Sequence, residues 1–305
     1  MTATDAHSKS VTAVFDEYAL LPDTYYTNPN LQIPIIAESY SKFAGLIAFF
    51  LYSAKFSGRR PVHVDVGSGS GNLIDVMLKT VPGPDYIGIE PSGAMVKLSR
   101  KRFADSDSVQ IYQGSTSTLT DIVEEGSASV VTMHNAFHYV SPDQAVSAMS
   151  QLRAILQPGG GLILSAFRPD FDLEVLARKN IRAVYSDKFQ EWLRDQVSIP
   201  PQLMSYALAI ENLVTQFEGG NLGIADFFKN VAEYTSRLPK ECLNALPVRL
   251  SNGLISSMPL EFQLNPLVHK YSREALTSLL IPHFSIKSID DHYDGSQHLV
   301  VALAN

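Results

Sequence analysis

The first long apolar pattern of the chain has helical spacing. Between Ile36 and Phe56, large apolar side chains recur at helical intervals, with polar residues between them. The apolar positions are Tyr40, Phe43, Ile47, Phe50 and Leu51. This pattern predicts one amphipathic helix, which a break containing glycine and proline ends at residues 58–61.

After this break, short runs rich in β-branched residues alternate with stretches of helical spacing. Five such runs predict strands, at Val62–Val66, Tyr86–Glu90, Val109–Tyr112, Ser129–Met133 and Leu162–Phe167. A helix at about Pro142–Leu156 and a glycine-rich turn at Gln157–Gly161 precede the last of them. Strands and helices that alternate through short links predict right-handed βαβ units and a parallel, doubly wound sheet.

The alternation stops at Asp170, and the pattern is mainly helical as far as Val268. A helix at Ser272–Leu280 and two strands at Ile286–Asp291 and Leu299–Leu303 follow, and the strands predict an antiparallel hairpin. We therefore expect an α/β fold with a doubly wound, mostly parallel, seven-stranded Rossmann-like sheet and a helical cap inserted after strand five. The predicted domains are an N-terminal helical lid at 1–59, a core at 60–169 and 269–305, and the cap at 170–268.

Composition and charge narrow the class of protein. The chain has 305 residues, 45% of them hydrophobic, and a formal charge of −7, which weakens a nucleic-acid interpretation because phosphate binding needs a concentrated basic face. Its single cysteine, Cys242, excludes an internal disulfide framework and fits a reducing compartment. The first ten residues lack a secretory pattern, and the longest apolar run is far shorter than the ~20 residues of a membrane span. We expect a soluble, cytoplasmic protein.

A glycine-rich loop, Gly67–Gly71, lies between the first predicted strand and its helix. Glycines there let the backbone approach a ligand, and a helix N-terminus offers unpaired N–H groups. The pattern is G-x-G-x-G with Asn72 next, so it lacks the third glycine of a dinucleotide fingerprint. Glu90 ends the second strand nineteen residues after Gly71, where a carboxylate accepts from ribose hydroxyls, and Asp65 precedes the loop. The alternative is a simple turn with a solvated Glu90.

Five motifs in order carry a family resemblance: VDVGSGSGN, YIGIEPS, YQGST, SVVTMHNAFHYV and LQPGGGLIL. Together they resemble the class I S-adenosylmethionine-dependent methyltransferases. The resemblance implies S-adenosylmethionine as cofactor. It places the methionine part near Asp65, Gly67, Ser68, Gly69 and Gly71, the ribose on Glu90, and the adenosine beside Pro91, Ser92 and Met95. Where many members carry an aspartate for the adenine amino group, this chain has Ser115 and Thr116, either adenine ligands or plain loop hydroxyls.

The segment after the fourth strand holds the candidate catalytic residues. The resemblance places it beside the reactive methyl group and gives Asn135 a cofactor role. An imidazole of ordinary pKa accepts a proton near neutral pH, so His138 is the preferred general base and His134 the second candidate. The alternative for each is a packed, hydrogen-bonded histidine. We expect no metal, because Asn135 stands where a zinc-protease helix needs glutamate.

Substrate-binding candidates lie before the core and after strand four. Tyr25, Tyr26, Gln32 and Tyr139 combine aromatic surface with polar tips, which suits a mostly apolar ligand with one polar group. Tyr25, Asn28 and Gln32 have the spacing of the S-Y-x-x-N-S-x-x-Q stretch in plant SABATH carboxyl methyltransferases, without its serines. The alternative is a segment that only packs over the sheet edge.

The function expected from these features is methyl transfer from S-adenosylmethionine to a small, largely apolar metabolite, such as a secondary metabolite. The residues leave open whether oxygen, nitrogen or carbon is methylated. A protein of this fold that binds the cofactor but acts as an isomerase, cyclase or regulatory partner is the alternative. We expect no nucleic-acid or membrane partner. The helical cap either roofs the site or mediates a homodimer.

Overall fold

The computed structural model describes residues 3–20, 34–172, 174, 177–178, 181–194, 198–245 and 267–305. Its chain divides into two compact units. One comprises residues 1–21, 37–171 and 266–305, and the other comprises residues 22–36 and 172–265.

The first unit is built on a seven-stranded sheet with strand order β3-β2-β1-β4-β5-β7-β6. Strands β1 to β5 pair in parallel, and β7 runs antiparallel to both β5 and β6. The strands are β1 Val62–Val66, β2 Asp85–Glu90, β3 Val109–Gln113, β4 Ala128–Met133, β5 Leu156–Phe167, β6 Phe284–His292 and β7 Gln297–Ala304. This sheet confirms the predicted fold class.

Helices accompany the strands in the alternation that the sequence predicts. In chain order they are α1 Ala3–Leu20, α2 Pro34–Phe56, α3 Asn72–Thr80, α4 Gly93–Arg102, α5 Leu119–Ile122, α6 Pro142–Ile155 and, after β5, α7 Lys188–Arg194, α8 Pro201–Glu218, α9 Ile224–Ser236, α10 Lys240–Ala245 and α11 Arg273–Leu280. A π-helical turn, Arg182–Asp187, precedes α7. Helices inserted after β5 are thus confirmed.

The centre of the sheet is buried on both faces. Every residue of β1 and β4 is buried, which is typical of parallel strands covered by helices on each side. Helix α2 packs closely on β5: a Cβ at Gly161 would collide with the ring of Phe50, so glycine is needed at this point of contact.

The predicted hairpin and the predicted turn have different outcomes. Tyr293, Asp294 and Gly295 connect β6 to β7 with positive φ angles of 54°, 54° and 80°, which confirms the antiparallel hairpin.

The turn predicted before β5 instead lies inside that strand, which begins at Leu156. Leu156 pairs with Ala128 and regular pairing resumes at Gly161, so the glycines form an irregularity within the ladder rather than its start.

The second unit has its own apolar core. Tyr185, Phe217 and Phe227 are fully buried there, and the ring centroids of Tyr185 and Phe217 lie 5.4 and 5.5 Å from that of Phe227. The unit also buries Cys242. Among the helices that the structure describes in either unit, none is long and apolar enough to cross a membrane.

Candidate functional site

The glycine loop follows β1 in a conformation that favours glycine. Gly67, Gly69 and Gly71 have φ angles of 75°, 55° and 83°, a region that costs other L-residues about 1–2 kcal/mol. The N–H groups of Gly67 and Ser68 donate to the carbonyl of Ile89 at 2.8 and 3.2 Å. The loop is therefore fastened to the carboxyl end of β2.

Glu90 joins the loop to β2 through its side chain. Its Oε2 accepts the N–H of Gly69 and its Oε1 accepts the N–H of Ser92, each at 2.9 Å. The side chain is only 4% exposed, so the alternative of a solvated strand end is wrong. Burial raises the pKa of Glu90 to about 7, although both amide bonds lower it; the negative charges of Asp65 and Asp16 raise it further.

Asp65 lies in β1, beside the strand that carries Glu90. It is buried, and its Oδ1 accepts from the Thr132 hydroxyl at 2.7 Å. Burial raises the pKa of Asp65 to about 7, while the Thr132 hydrogen bond lowers it. Two buried carboxyl groups therefore flank the glycine loop, and each is partly protonated near neutral pH.

The residues expected near adenosine lie at the start of α4. Ser92 is the N-cap of that helix, and its Oγ accepts the N–H of Met95 at 3.1 Å. Helix α1 contributes Asp16, whose Oδ1 accepts from Ser92 Oγ at 2.5 Å and from the Ala94 N–H at 3.1 Å. Pro91 is half-buried and Met95 is fully buried. The segment is thus held by α1 as well as by Glu90.

Ser115 and Thr116 follow β3, at the same edge of the sheet. The Ser115 hydroxyl accepts the N–H of Ser117 at 3.3 Å, and the Ser115 N–H donates to Thr118 Oγ1 at 3.0 Å. Ser115 therefore caps the 3₁₀ turn Thr116–Thr118. The Ser115 hydroxyl therefore already has a partner within its own turn. A contact with adenine would have to form in addition to this bond.

Asn135 follows β4 in a left-handed backbone conformation, with a φ of 52°. Asparagine tolerates this region better than most residues. Its N–H donates to Ser165 Oγ at 3.0 Å, and its Oδ1 accepts from Gln297 Nε2 at 2.9 Å. Strands β5 and β7 thus hold Asn135, while the next residue, Ala136, lies against Gly67: a Cβ at Gly67 would be 2.5 Å from that of Ala136.

His134 is held by α2 rather than turned toward solvent. Its Nε2 lies 2.8 Å from Ser39 Oγ, which is also 2.8 Å from Nε2 of His292. The centroids of the Tyr40 and Phe43 rings lie 4.6 and 4.7 Å from that of His134. Burial lowers the pKa of His134 to about 3, and His292 adds to this effect, so the imidazole is neutral.

His138 lies in the short 3₁₀ turn after β4 and is fully buried. Its ring centroid is 4.4 Å from that of Tyr139 and 4.7 Å from that of Phe167. Burial lowers the pKa of His138 to about 3, with smaller contributions from His134 and His269. The expectation of an imidazole with ordinary basicity is therefore wrong: the ring is neutral at pH 7 but weakly basic.

The described residues thus assemble four loops at one edge of the sheet, after β1, β2, β3 and β4. Tyr139 belongs to the loop after β4, where its ring meets Phe15 of α1 edge-on at 5.2 Å between centroids. Tyr25, Tyr26 and Gln32, the other substrate-binding candidates, lie outside the described residues. Within the described ranges, no group of three or more His, Cys, Asp or Glu side chains is arranged to hold a metal ion.

Several residues at this edge were missed by sequence reasoning. Asp16, Thr132 and Gln297 contact the candidate site residues Ser92, Asp65 and Asn135. Thr132 had a signal, since it is a polar residue inside the apolar strand SVVTM. Asp16 and Gln297 had none, because their partners lie 76 and 162 residues away along the chain.

The strand order, the left-handed glycine loop and its link to a buried acidic residue fit the class I S-adenosylmethionine-dependent methyltransferases that the sequence motifs resemble. Residues 64–162 match the family model described as a methyltransferase domain, so this part of the chain is similar to that family. S-adenosylmethionine is the cofactor that the family implies. The site fits it: the contact with Ala136 leaves no room for a side chain at Gly67, and the carboxyl groups of Asp65 and Glu90 suit a cation with ribose hydroxyls.

Curated relatives are similar over part of the chain. A carboxy-S-adenosyl-L-methionine synthase from Pseudomonas fluorescens (strain Pf-5) is 30% identical over 168 residues, and the match covers 47% of this chain and 66% of the relative. A tRNA (guanine-N(7)-)-methyltransferase from Bacillus subtilis is 31% identical over 85 residues, 27% of this chain and 40% of the relative. The chain thus spans less than two thirds of the length of these relatives, whose names indicate unrelated products.

A solved structure is similar over almost the whole chain. It is a protein from Pyrococcus horikoshii OT3, with 15% sequence identity and a TM-score of 0.50, and the match covers 95% of this chain and 99% of that one. At this level of identity the similarity supports the fold alone.

Proposed function

We propose that this protein transfers the methyl group of S-adenosylmethionine to a small, largely apolar metabolite, such as a secondary metabolite. The observation that carries the proposal is the bond between Gly69 and Glu90, which closes a left-handed glycine loop over a buried carboxyl group. A loop that only made a turn would not need a buried acid beside it, because burial disfavours the charged form of a carboxyl group.

In this proposal the cofactor is held mainly by the first two loops and by Asn135. Glu90 accepts from the ribose hydroxyls with the lone pairs that its two backbone amides leave available. Asp65 faces the positively charged methionine part. The proposed cofactor residues are Asp65, Gly67, Ser68, Gly69, Gly71, Glu90, Pro91, Met95, Ser115, Thr116 and Asn135.

The net charge of the chain favours a small acceptor over a nucleic acid. The formal charge of −7 disfavours a polyanionic substrate, because binding of nucleic acid depends on neutralising many phosphates. On the substrate side we propose Tyr25, Tyr26, Gln32 and Tyr139. Of these, Tyr139 is the one in the described structure, and its ring packs between α1 and the segment that carries His138.

S-adenosylmethionine supplies an activated methyl group, so the protein has to align the acceptor and, where needed, remove its proton. We propose His138 for that proton and His134 as the second candidate. Because burial keeps the pKa of His138 at about 3, this ring suits only an acceptor whose proton becomes strongly acidic as the new bond forms. A methylated hydroxyl meets that condition, and an acceptor that is already anionic needs no base.

The test combines binding and turnover. Calorimetry should show that the purified chain binds S-adenosylmethionine, and a panel of apolar alcohols, phenols, carboxylic acids and amines should identify acceptors that release S-adenosylhomocysteine. Glu90→Ala should weaken binding at least about tenfold and lower turnover with it, while the exposed control Glu125→Ala should change neither. A chain that does not bind the cofactor would contradict the proposal.

The second candidate function is cofactor chemistry or binding without methyl transfer. It is favoured by the similarity to a synthase whose product, by its name, is a modified S-adenosylmethionine. It is also favoured by the low basicity of both candidate imidazoles. Binding of S-adenosylmethionine without any acceptor-dependent release of S-adenosylhomocysteine would favour an isomerase, a cyclase or a regulatory partner.

A further inference from the structure

A buried chain of hydrogen bonds runs beneath the glycine loop. Thr132 of β4 donates from its hydroxyl to Asp65 Oδ1 at 2.7 Å and lies 2.8 Å from His63 Nε2. His63 and Asp65 are two residues apart in β1, so they project from the same face of the sheet. The register pairs Asp65 with Thr132 directly. All three side chains are at most 2% exposed.

Counting hydrogens fixes the direction of this chain. A threonine hydroxyl has one hydrogen, and when Asp65 is ionised its carboxylate can only accept, so Thr132 donates this hydrogen to it. The contact between His63 and Thr132 then requires that Nε2 of His63 carries the hydrogen and donates it. Burial lowers the pKa of His63 to about 3, so the ring is neutral and has one N–H. The network therefore assigns the Nε2–H tautomer to His63.

In both hydrogen bonds the donated hydrogen points toward Asp65, so each bond polarises the other and strengthens it. A donor chain that ends on a carboxylate stabilises the charged form of that carboxylate. Burial acts in the opposite direction on Asp65. The nearby carboxyl groups give no help, because the charges of Asp65 and of Asp16 in α1 both raise the pKa of Glu90 in the neighbouring strand.

We propose that Thr132 and His63 are positioning residues for the cofactor, which hold the Asp65 carboxylate charged and oriented for the positively charged end of S-adenosylmethionine. Thr132 engages Oδ1 of Asp65, and Oδ2 is the oxygen assigned to the ammonium group. The inference rests on the proposed function, since Asp65 has this role only if the glycine loop binds the cofactor. It adds two residues, in the interiors of β1 and β4, that act on the cofactor only through Asp65.

The test removes one hydroxyl and follows the pH dependence of binding. Thr132→Val keeps the shape of the side chain but removes the donor, so the pKa of Asp65 should rise by about one unit. Relative to the wild type, calorimetric affinity for S-adenosylmethionine should fall about fivefold at pH 7 and recover by about pH 9, where Asp65 is ionised in both proteins. Thr132→Ser keeps the hydroxyl and should preserve both the affinity and the midpoint of the pH curve.

Two further variants separate positioning from packing. His63→Phe removes the N–H at similar volume and should shift the midpoint upward by less than Thr132→Val does. In an Asp65→Asn background, Thr132→Val should no longer move the pH curve, because the titrating group is gone. If Thr132→Val does not fold, the shift in His63→Phe and its absence in Thr132→Ser decide the question.

The outcomes distinguish the inference from the proposed function. A wild-type chain that binds no S-adenosylmethionine at any pH would overturn both. A wild-type chain that binds it, with the same pH midpoint in Thr132→Val and His63→Phe, would overturn the inference alone. A loss of affinity by the same factor at every pH would assign Thr132 a packing role and overturn the inference as well.

Discussion

The carboxyl ends of β1 and β2 differ from the carboxyl end of β4 in what burial does to their ionisable groups. Burial raises the pKa of Asp65 and Glu90 to about 7 and lowers the pKa of His134 and His138 to about 3. In both places burial disfavours the charged form. The carboxyl groups therefore ionise near pH 7, whereas the imidazoles are already uncharged well below that pH.

The difference shows which end of the site can respond to a cationic ligand. Ionised carboxylates gain from a nearby positive charge, so a cation would lower the pKa of Asp65 and Glu90 and release protons near pH 7. The same cation would disfavour protonation of His138 still more. Cofactor binding is therefore expected to depend on pH around 7, and base chemistry after β4 is expected to be insensitive to pH there.

The largest expected effect would come from the β4 segment. If His138 takes a proton from the acceptor, His138→Gln should lower the rate of S-adenosylhomocysteine release by about 10²–10⁴. Cofactor affinity, measured by calorimetry, should change little. Because the pKa of the ring is about 3, protonation of His138 should not lower the wild-type rate when the pH falls from about 8 to about 5.

The control for that variant is His283→Gln, at a half-buried histidine just before β6. Near-normal turnover of His138→Gln would contradict the base assignment. It would move the role to His134 or favour acceptors that need no deprotonation.

The next largest effect should come from the glycine loop. Gly67→Ala forces a left-handed residue and places a Cβ 2.5 Å from that of Ala136, so the loop has to move. Together these penalties should weaken cofactor binding about a hundredfold. Gly58→Ala is the matched control, because Gly58 has a φ of 71° and nothing within 4 Å of its added Cβ. Equal losses in both variants would show that backbone strain alone is responsible.

The difference between the two regions also explains how much of the candidate site could be predicted from the sequence. The positions of the loop and of Glu90 were predictable because they depend on local features, glycine spacing and a strand end, which the sequence displays directly. The basicity of His134 and His138 was not, because it depends on burial by Ser39, Tyr40, Phe43 and Phe167 from distant segments.

The fold follows the same rule. Alternating strands and helices predicted the sheet, and the last two short strands predicted its antiparallel hairpin, whose turn is Tyr293–Gly295. The start of β5 was mispredicted because glycines that usually end a strand lie here within a pairing irregularity. Such a register is set by the partner strand β4, which local pattern does not contain.

A smaller effect is expected at Glu90. Glu90→Ala removes two hydrogen bonds of a charged acceptor, each worth ~1.5–3 kcal/mol at most, and leaves the N–H groups of Gly69 and Ser92 without these partners. Affinity for S-adenosylmethionine should fall at least about tenfold while the fold survives. Calorimetry and thermal unfolding together measure this. An unchanged dissociation constant would remove Glu90 from the site.

The smallest effect is expected at Asp16, which links α1 to the cofactor side of the sheet. Asp16→Asn removes a negative charge from the N-terminus of α4, a contact worth ~0.3–1 kcal/mol, so affinity at about pH 8 should fall two- to fivefold. The same charge raises the pKa of Glu90, so its loss should also move the midpoint of the pH dependence of binding to lower pH. Glu17→Gln makes the same charge change at an exposed neighbour and should do neither. A midpoint that moves equally in both variants would mean that overall charge, and not the contact of Asp16 with Ser92, sets the response of the carboxyl groups.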